Sequence, residues 1–161
     1  MTSDAKEDFW NRLKDVQAGM LGLTSDGKFV PMSPGLRDEP DGKIWFISAA
    51  GEGLVDDTAD SGAHPSRLII ADAKTGLWAN IEGTLSQVDD PVVLDELWNI
   101  MASAIFNGEK DDDKIRLLAF TPERAGAWFS TTNGLKFLFE IAKAKLTEAD
   151  PDMGYQVDLR F

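Results

Sequence analysis

Residues 28–48, KFVPMSPGLRDEPDGKIWFIS, decide the fold of this chain. An extended segment begins at Lys28, an acidic turn with a proline follows, and a dense apolar segment ends at Ser48. Two extended segments joined in this way predict a β-hairpin. Because successive side chains of a strand alternate sides, Lys28, Val30 and Met32 share one face. We therefore expect the walls of this hairpin to hold a ligand.

The segments on either side continue the pattern of strands joined by turns. Residues 16–24 are small or apolar on both alternating faces, as in a strand buried on two sides, and Asp26-Gly27 predicts a tight hairpin turn. Residues 49–66 are rich in Gly, Asp and Ala and predict a loop, with one helical turn near residues 54–58. Further strands are predicted at residues 67–73, 77–88, 115–120 and 124–130, the last two separated by a break at Thr121-Pro122.

Three helices are predicted around these strands. A capping-box pattern starts a helix over residues 4–15, and Asp90-Pro91 starts one over residues 91–106. A last helix covers residues 134–146, followed by a tail that packs on the surface or against a partner subunit.

Most of the predicted strands follow one another with only a turn between them. Parallel strands would need a helical crossover after each strand, so this order favours a small antiparallel barrel over a doubly wound sheet. We therefore predict one domain over residues 1–161, mainly β with flanking helices, with six to seven antiparallel strands.

Composition excludes several classes of partner. Sixteen basic residues against 28 acidic ones give a net charge of -12, which disfavours nucleic acid and anionic membranes. The chain has no cysteine, and its first residues, MTSDAKEDFW, lack the basic and apolar regions of a targeting signal. No apolar run reaches the roughly 18 residues of a membrane span. A cytoplasmic location is expected.

Side-chain catalysis and metal binding find little support. The single histidine, His64, falls in the predicted loop and is expected to be exposed there. The acidic run at residues 108–114 lacks the ligand pattern of a calcium loop and is predicted to be a solvated loop. No metal site is predicted and the catalytic residues are unknown. Any difficult chemistry would therefore depend on a bound cofactor.

Five motifs in order carry a resemblance: GMLGLT (19–24), DGKIWFIS (41–48), ANIEGTLSQVDD (79–90), DELWN (95–99) and LLAFTPERAGAWFS (117–130). Together they resemble the general stress protein branch of the pyridoxamine 5'-phosphate oxidase-like superfamily. The similarity runs in register from about Phe9 to Leu146. It implies the FMN-binding split β-barrel fold and a homodimer with FMN, or FAD, in a cleft at the subunit interface.

The resemblance also implies which residues lie beside the flavin. Met32 and Ser33 match the end of the family's Arg-Pro-Met segment, Trp45 to Ser48 match a strand near the phosphate, and Trp128 would come from the other subunit. Trp78 lies on the polar face of its strand, where a planar ligand or a partner surface would explain it. The expected cofactor-binding residues are Lys28, Val30, Met32, Ser33, Trp45, Phe46, Ile47, Ser48, Leu54, Trp78, Asn80 and Trp128.

Two departures concern the phosphate. Val30 stands where the family has an arginine, and Glu52-Gly53-Leu54 stands where it has a lysine. Each missing charge-assisted hydrogen bond is worth about 1.5–3 kcal/mol, so losing both would weaken binding by roughly two to four powers of ten. Lys28 could replace the missing charge or could be a surface hairpin lysine. Lys74 and Arg67 are further candidates.

Two functions from different classes therefore remain. The first is a flavin-binding general stress protein, active as a flavin-dependent oxidoreductase on an unknown substrate. The second is a non-enzymatic stress or interaction protein that has lost strong flavin binding. A third hypothesis is that the pocket is present but binds a planar anion other than a flavin.

Overall fold

The computed structural model describes residues 2–101, 113–130, 142 and 154–161. Within these ranges the chain forms seven strands and three helices. In chain order they are α1 (Thr2–Leu13), β1 (Gly19–Leu23), β2 (Val30–Met32), β3 (Ile44–Ala49), α2 (Gly53–Asp57), β4 (His64–Asp72), β5 (Leu77–Val88), α3 (Pro91–Met101), β6 (Ile115–Phe129) and β7 (Tyr155–Arg160). The predicted mainly antiparallel β fold with flanking helices is confirmed.

All seven strands belong to one antiparallel sheet. Its order is β2-β1-β4-β5-β6-β3, and β7 is a further partner of β6. The long strand β6 pairs with β5 on one side, while its other side pairs first with β3 and then with β7. β6 therefore connects the end strand β3 to the rest of the sheet.

One face of this sheet encloses the main core. Alternate residues of β5, Leu77, Ala79, Ile81 and Leu85, are buried there, as their spacing predicts. Phe9 and Leu13 of α1 pack into the same cluster, so the first helix covers this face. Burial of these apolar side chains is the main driving force for the fold.

The barrel is open between its two end strands, β2 and β3. The segment after β2 meets β3 at a single bridge, in which the backbone N–H and C=O groups of Gly35 and Trp45 exchange two hydrogen bonds of 2.8 Å. Within the described chain, β2 and β3 themselves share no ladder. This gap makes the barrel split.

A second, smaller core lies on the outer side of β3 and β6. Trp45 and Ile47 of β3 pack there against Val93 and Leu97 of α3. The first turn of α3 is capped by Asp90, whose Oδ1 accepts hydrogen bonds from the backbone N–H groups of Val92 and Val93, both at 3.2 Å. The predicted helix start at Asp90-Pro91 is confirmed, and the described part of the helix ends at Met101.

The predicted hairpin over residues 28–48 is wrong. β2 pairs with β1 and β3 pairs with β6, so the two segments lie at opposite ends of the sheet order. The acidic turn between them is tied to α3 instead, because Arg37 Nε donates to Glu96 Oε2 at 2.7 Å. The two segments nevertheless face each other across the split.

The predicted break at Thr121-Pro122 is also wrong, because β6 runs through it. The register against β5 shifts at Glu82/Gly83: Gly83 faces Pro122 while Glu82 faces Arg124. This bulge places an extra residue, Glu123, in β6. Proline lacks an N–H for the ladder, and a bulge is one of the places where a sheet accepts it.

Three further expectations need correction. The tail is expected from sequence to pack on the surface or against a partner subunit, but residues 155–160 form β7, which pairs with β6. His64 was expected in an exposed loop, but it begins β4 and is only partly exposed. The connection between β1 and β2 spans residues 24–29 and is longer than a tight turn, although Gly27 takes the expected positive φ of 65°.

The remaining predicted helices are accounted for as follows. The helical turn near residues 54–58 is confirmed as α2, and the first helix as α1. The helix predicted over 134–146, apart from residue 142, lies outside the described residues, as do positions 102–106 of the inserted helix and 108–112 of the acidic run.

Candidate functional site

A cleft of about 780 Å³ occupies the split between β2 and β3. The edge of β2 forms one wall, the end of β3 forms the other, and the first turn of α2 closes one side. Its lining residues are Ala18, Asp26, Lys28, Val30, Pro31, Met32, Ser33, Ile47, Ser48, Ala49, Glu52, Gly53, Leu54, Asp57 and Met101. The volume falls in the range of small-molecule sites.

The walls of the cleft are mainly apolar. Val30 and Met32 stand opposite Leu21 and Gly19 in the ladder with β1, and Leu21 is fully buried in the main core. Residues directly opposite in a ladder share a face, so Val30 and Met32 point to the inner side of the sheet. Val30 is 39% exposed there because no strand covers it across the split. Such a surface suits a flat, largely apolar ligand.

Ser48 adds a polar group to the wall formed by β3. Its side chain is 8% exposed and lines the cleft, and no described residue forms a hydrogen bond with its hydroxyl. Buried hydroxyls normally have a partner. The hydroxyl is therefore available to donate to, or accept from, a bound molecule.

Seven of the predicted site residues line this cleft: Lys28, Val30, Met32, Ser33, Ile47, Ser48 and Leu54. Two other predicted residues, both in β3, do not line the cleft. Phe46 is fully buried in the main core, and Trp45 lies in the outer core with its Nε1 donating to Asp41 Oδ2 at 2.9 Å. Contact of any of these residues with a ligand stays a prediction.

The remaining three predicted residues lie on the outer face of β5 and β6. Trp78 stands opposite Trp128, and its Nε1 donates to Ser130 Oγ at 2.8 Å. Trp128 Nε1 is buried and has no hydrogen-bond partner among the described residues. Asn80 Oδ1 accepts from Arg67 at 2.5 Å. Within one subunit these side chains lie outside the cleft.

The same outer face carries exposed apolar side chains. Met20 of β1 stands opposite Ile69 of β4, and they are 40% and 38% exposed. Ile69 in turn stands opposite Asn80, so these residues continue the surface that bears Trp78 and Trp128. We call Met20, Ile69, Trp78 and Trp128 the outer apolar face. Contiguous apolar surface of this kind is typical of an interface.

The charged groups of the cleft are mostly acidic. Asp26, Glu52 and Asp57 line it together with one cation, Lys28. The Lys28 ammonium has no ion-pair partner among the residues that the structure describes, while the Lys28 backbone N–H donates to Asp26 Oδ1 at 2.9 Å. Of the three cations considered from sequence, only Lys28 lines the cleft, because Arg67 pairs with Glu82 at 2.8 Å on the outer face.

Several of these lining residues were not predicted from the sequence. Glu52 precedes α2, Asp57 ends it and Met101 ends α3, so all three are far in sequence from β2. Glu52 and Gly53 are next to the predicted Leu54, and this adjacency could have found them. For Asp57 and Met101 no sequence signal was available, because only the fold brings them to the split.

A second cleft of about 790 Å³ adjoins the first and shares Ser33 and Met101 with it. Arg37 lines this second cleft and is paired with Glu96 of α3. The hydrogen bond between them raises the pKa of Arg37 and lowers that of Glu96. This pair fixes the segment after β2 against α3, and so supports one end of the split.

His64 takes part in a local pair. Its Nε2 lies 2.7 Å from Asp60 Oδ1, and the pKa of Asp60 is lowered by a hydrogen bond from the backbone N–H of Gly62 and then by His64. Ser66 Oγ donates to the backbone carbonyl of His64, so the serine is not paired with the imidazole as a nucleophile would be.

The described residues contain neither a candidate metal site nor a candidate membrane span. No group of three or more His, Asp or Glu side chains in the described ranges converges on a point where a metal could bind. No helix in the part of the chain described above is both long and apolar enough to cross a bilayer.

Comparison with known proteins gives a consistent picture. A family model described as pyridoxamine 5'-phosphate oxidase like matches residues 4–152. No curated protein matches significantly. A solved structure described as general stress protein 26 from Jannaschia sp. CCS1 is 41% identical over 100% of both chains, with a TM-score of 0.85.

Two Xanthomonas structures are also similar. A general stress family protein from Xanthomonas campestris pv. campestris is 29% identical, over 83% of this chain and 92% of its own, with a TM-score of 0.70. A general stress FMN/FAD binding protein from Xanthomonas citri is 29% identical, over 80% of this chain and 90% of its own, with a TM-score of 0.69. The predicted split-barrel fold class is confirmed by these neighbours.

Proposed function

This chain belongs to the pyridoxamine 5'-phosphate oxidase-like family, and on that premise we propose that it is a flavin-binding general stress protein whose flavin lies between β2 and β3. The observation that carries the proposal is the cleft itself. The split brings together seven residues that were predicted from sequence to contact a flavin, although they come from three parts of the chain: residues 28–33, residues 47–48 and Leu54 of α2. The Xanthomonas citri neighbour is described as an FMN/FAD binding protein.

The residues of the cleft fit the ring system of a flavin better than its phosphate. Val30, Met32 and Leu54 offer apolar surface to a planar ring, and Ser48, whose hydroxyl has no hydrogen-bond partner among the described residues, can bond a polar atom at the edge of the ring. A bound flavin would supply electron transfer, making the protein an oxidoreductase whose substrate is unknown. The chain's own residues would bind the ring, orient it and exclude water from one side.

Assembly is the second part of the proposal. The outer apolar face would pack against a second copy of the chain, so that Trp128 of one copy covers the cleft of the other. Support comes from Met20 and Ile69, which are 40% and 38% exposed. An interface would remove these two apolar side chains from solvent.

Flavin binding is tested first by spectroscopy. The purified protein is examined for visible absorbance, and riboflavin, FMN and FAD are titrated while tryptophan fluorescence is recorded. We expect saturable quenching, because the chain has five tryptophans and a bound flavin absorbs their emission. The absence of visible absorbance together with the absence of saturable quenching by any flavin up to millimolar concentration would contradict the proposal.

The location of the site is tested with two matched substitutions. Val30→Trp fills the cleft, whereas Val92→Trp adds the same bulk to an exposed position of α3 that does not line it. Flavin binding, followed by equilibrium dialysis, should be lost in the first variant and retained in the second. Retention in both would place the flavin elsewhere.

The dimer is tested by light scattering. The expected mass is twice the 17.7 kDa of one chain, and Ile69→Lys should shift it towards the monomer because it places a charge on the outer apolar face. Val92→Lys is the control and should leave the mass unchanged. A wild-type mass near 17.7 kDa at micromolar concentration would contradict the shared cleft.

The charge of the cleft favours one alternative enough to keep it. Three carboxylates against one lysine weaken any phosphate contact, as expected of a non-enzymatic family member that has lost strong flavin binding. A dimer that binds no flavin would support this alternative. A thermal-shift screen in which a planar anion other than flavin stabilises the protein would support the third hypothesis, that the pocket binds such an anion.

A further inference from the structure

The polar groups of the cleft distinguish between forms of the flavin. Resting on the proposed function, we infer that the cleft selects a flavin without a phosphate, so that riboflavin binds more tightly than FMN. The ring system is common to both molecules, and they differ only at the end of the side chain. The groups that meet this end therefore decide the preference.

Acidic side chains outnumber basic ones around the cleft. Among the described lining residues, Lys28 is the one cation, and Asp26, Glu52 and Asp57 are the acidic residues. A phosphate monoester adds a charge of about -1.5 to -2 at pH 7. FMN is therefore repelled more strongly than it is attracted.

Two of these carboxylates, Glu52 and Asp26, differ in how they are held. Glu52 is the residue before α2, yet its side chain makes no capping hydrogen bond. Asp26 is held beside Lys28 by the bond that it accepts from the Lys28 backbone N–H, so the single cation has an anion as its neighbour. The field of Lys28 at a bound phosphate is reduced accordingly.

The cleft also offers groups that suit a neutral ligand. The Ser48 hydroxyl is unpartnered among the described residues and 8% exposed, and it can bond a hydroxyl or carbonyl oxygen without any ion having to leave water. The side chain of riboflavin ends in a neutral hydroxyl. The apolar wall and Ser48 can therefore serve the ring of either flavin, and only the phosphate of FMN would meet Asp26, Glu52 and Asp57.

The inference is tested by titrating the same preparation with riboflavin and with FMN at low salt. We expect riboflavin to bind about tenfold more tightly, since several unit charges interact across about 10 Å in a partly aqueous cleft. Raising the salt concentration should narrow this ratio by screening the repulsion. FMN binding as tightly as riboflavin or more tightly would overturn the inference while leaving the proposed function intact. Failure of both flavins to bind would contradict the proposed function itself.

Substitutions test whether charge causes the difference in affinity between riboflavin and FMN. The double variant Glu52→Gln with Asp57→Asn should tighten FMN several-fold more than it changes riboflavin, because only the charges are removed. The control Glu39→Gln removes one charge from an exposed loop that does not line the cleft, and should leave the ratio of the two affinities unchanged. Lys28→Gln should weaken FMN more than riboflavin. If none of the cleft variants changed the ratio of the riboflavin and FMN affinities, the electrostatic explanation would be overturned.

Discussion

Arg12 joins the N-terminal helix to two distant parts of the sheet. Its Nη1 donates to the backbone carbonyl oxygens of Thr75 at 3.1 Å, Gly76 at 3.1 Å and Ser130 at 2.7 Å, and its Nε donates to Asp8 at 2.8 Å. Only the planar fork of a guanidinium presents several donors in fixed directions. A single side chain thus satisfies carbonyls at the β4–β5 turn and at the end of β6.

Replacing Arg12 by methionine should lower the free energy of unfolding by about 2–3 kcal/mol, because partly buried carbonyls lose charge-assisted hydrogen bonds. Urea denaturation followed by circular dichroism measures the change. Lys14→Met is the matched control, since this exposed lysine bonds only Asn11, at 3.3 Å, and should change stability by less than about 0.5 kcal/mol. If both substitutions lowered the free energy of unfolding by the same amount, the hydrogen bonds of Arg12 to the distant carbonyls would not stabilise the fold.

Glu96 predicts a dependence of stability on pH. The hydrogen bond from Arg37 is the main cause that lowers the folded-state pKa of Glu96 below its usual 4.5. A depressed carboxyl pKa contributes stability above pH 4.5, and this contribution is lost as the pH falls through the folded-state pKa. Because both side chains are still partly exposed to water, which screens the pair, the effect should be small.

The measurement compares wild type with Glu96→Gln in urea between pH 6 and pH 3. We expect wild type to be more stable at pH 6 and the difference to shrink towards pH 3. Glu39→Gln, at an exposed loop position, should show no such change. A difference that stayed constant over this range would contradict the assignment.

At the scale of elements, the bulge in β6 explains a glycine. A Cβ on Gly83 would overlap the backbone carbonyl of Thr121 and approach Pro122 at 2.9 Å, whereas a Cβ on Gly126 of the same strand pair would meet only Asp158 Oδ1, at 3.9 Å. Gly83→Ala should therefore destabilise the protein by about 1–3 kcal/mol and Gly126→Ala by much less. Thermal denaturation of both variants provides the comparison, and equal melting temperatures would contradict the bulge geometry.

The C-terminal strand β7 is an integral part of the sheet. Leu159 is 1% exposed in the main core, and the Phe161 ring lies 5.2 Å from that of Phe9. Leu159→Ala should destabilise the protein by about 2–4 kcal/mol, whereas Gln156→Ala, on the same strand but exposed, should have little effect. Urea midpoints measure both. If the leucine variant were as stable as wild type, β7 would not pack as described.

How much of this could be predicted depends on the range of the interactions. The alternation in residues 77–88 predicted β5 because one buried face is a local property of the sequence. The β2–β3 hairpin was wrong because the partner of β3, β6, lies about 70 residues further along the chain. β7 was missed although Tyr155, Val157 and Leu159 alternate with polar residues, a signal that was present but short.

The same reasoning applies to the candidate site. Lys28, Val30 and Met32 were predicted to share one face, and all three line the cleft. Trp78 and Trp128 were assigned to a flavin through the resemblance, and within one subunit they lie outside the cleft. Sequence patterns indicate faces of strands, but they do not say which faces meet across a split or between two chains.

At the scale of the whole molecule, one sheet carries two surfaces that matter for the proposed function: the cleft in the split and the outer apolar face. Under the proposed function, the inner edge of the split would hold the ligand, and the outer apolar face would pack against a second copy. With a net charge of -12, the protein also repels anionic ligands over distances comparable to the Debye length. Both the local and the overall charge therefore favour a neutral flavin.

A crystal structure of the protein with riboflavin bound tests the central claim most directly. The account predicts electron density for the ring system in the split, against Val30 and Met32 on one side and within hydrogen-bond distance of Ser48 on the other. Density for the ring in the neighbouring cleft beside Arg37, or a split that remains empty at saturating riboflavin, would contradict it.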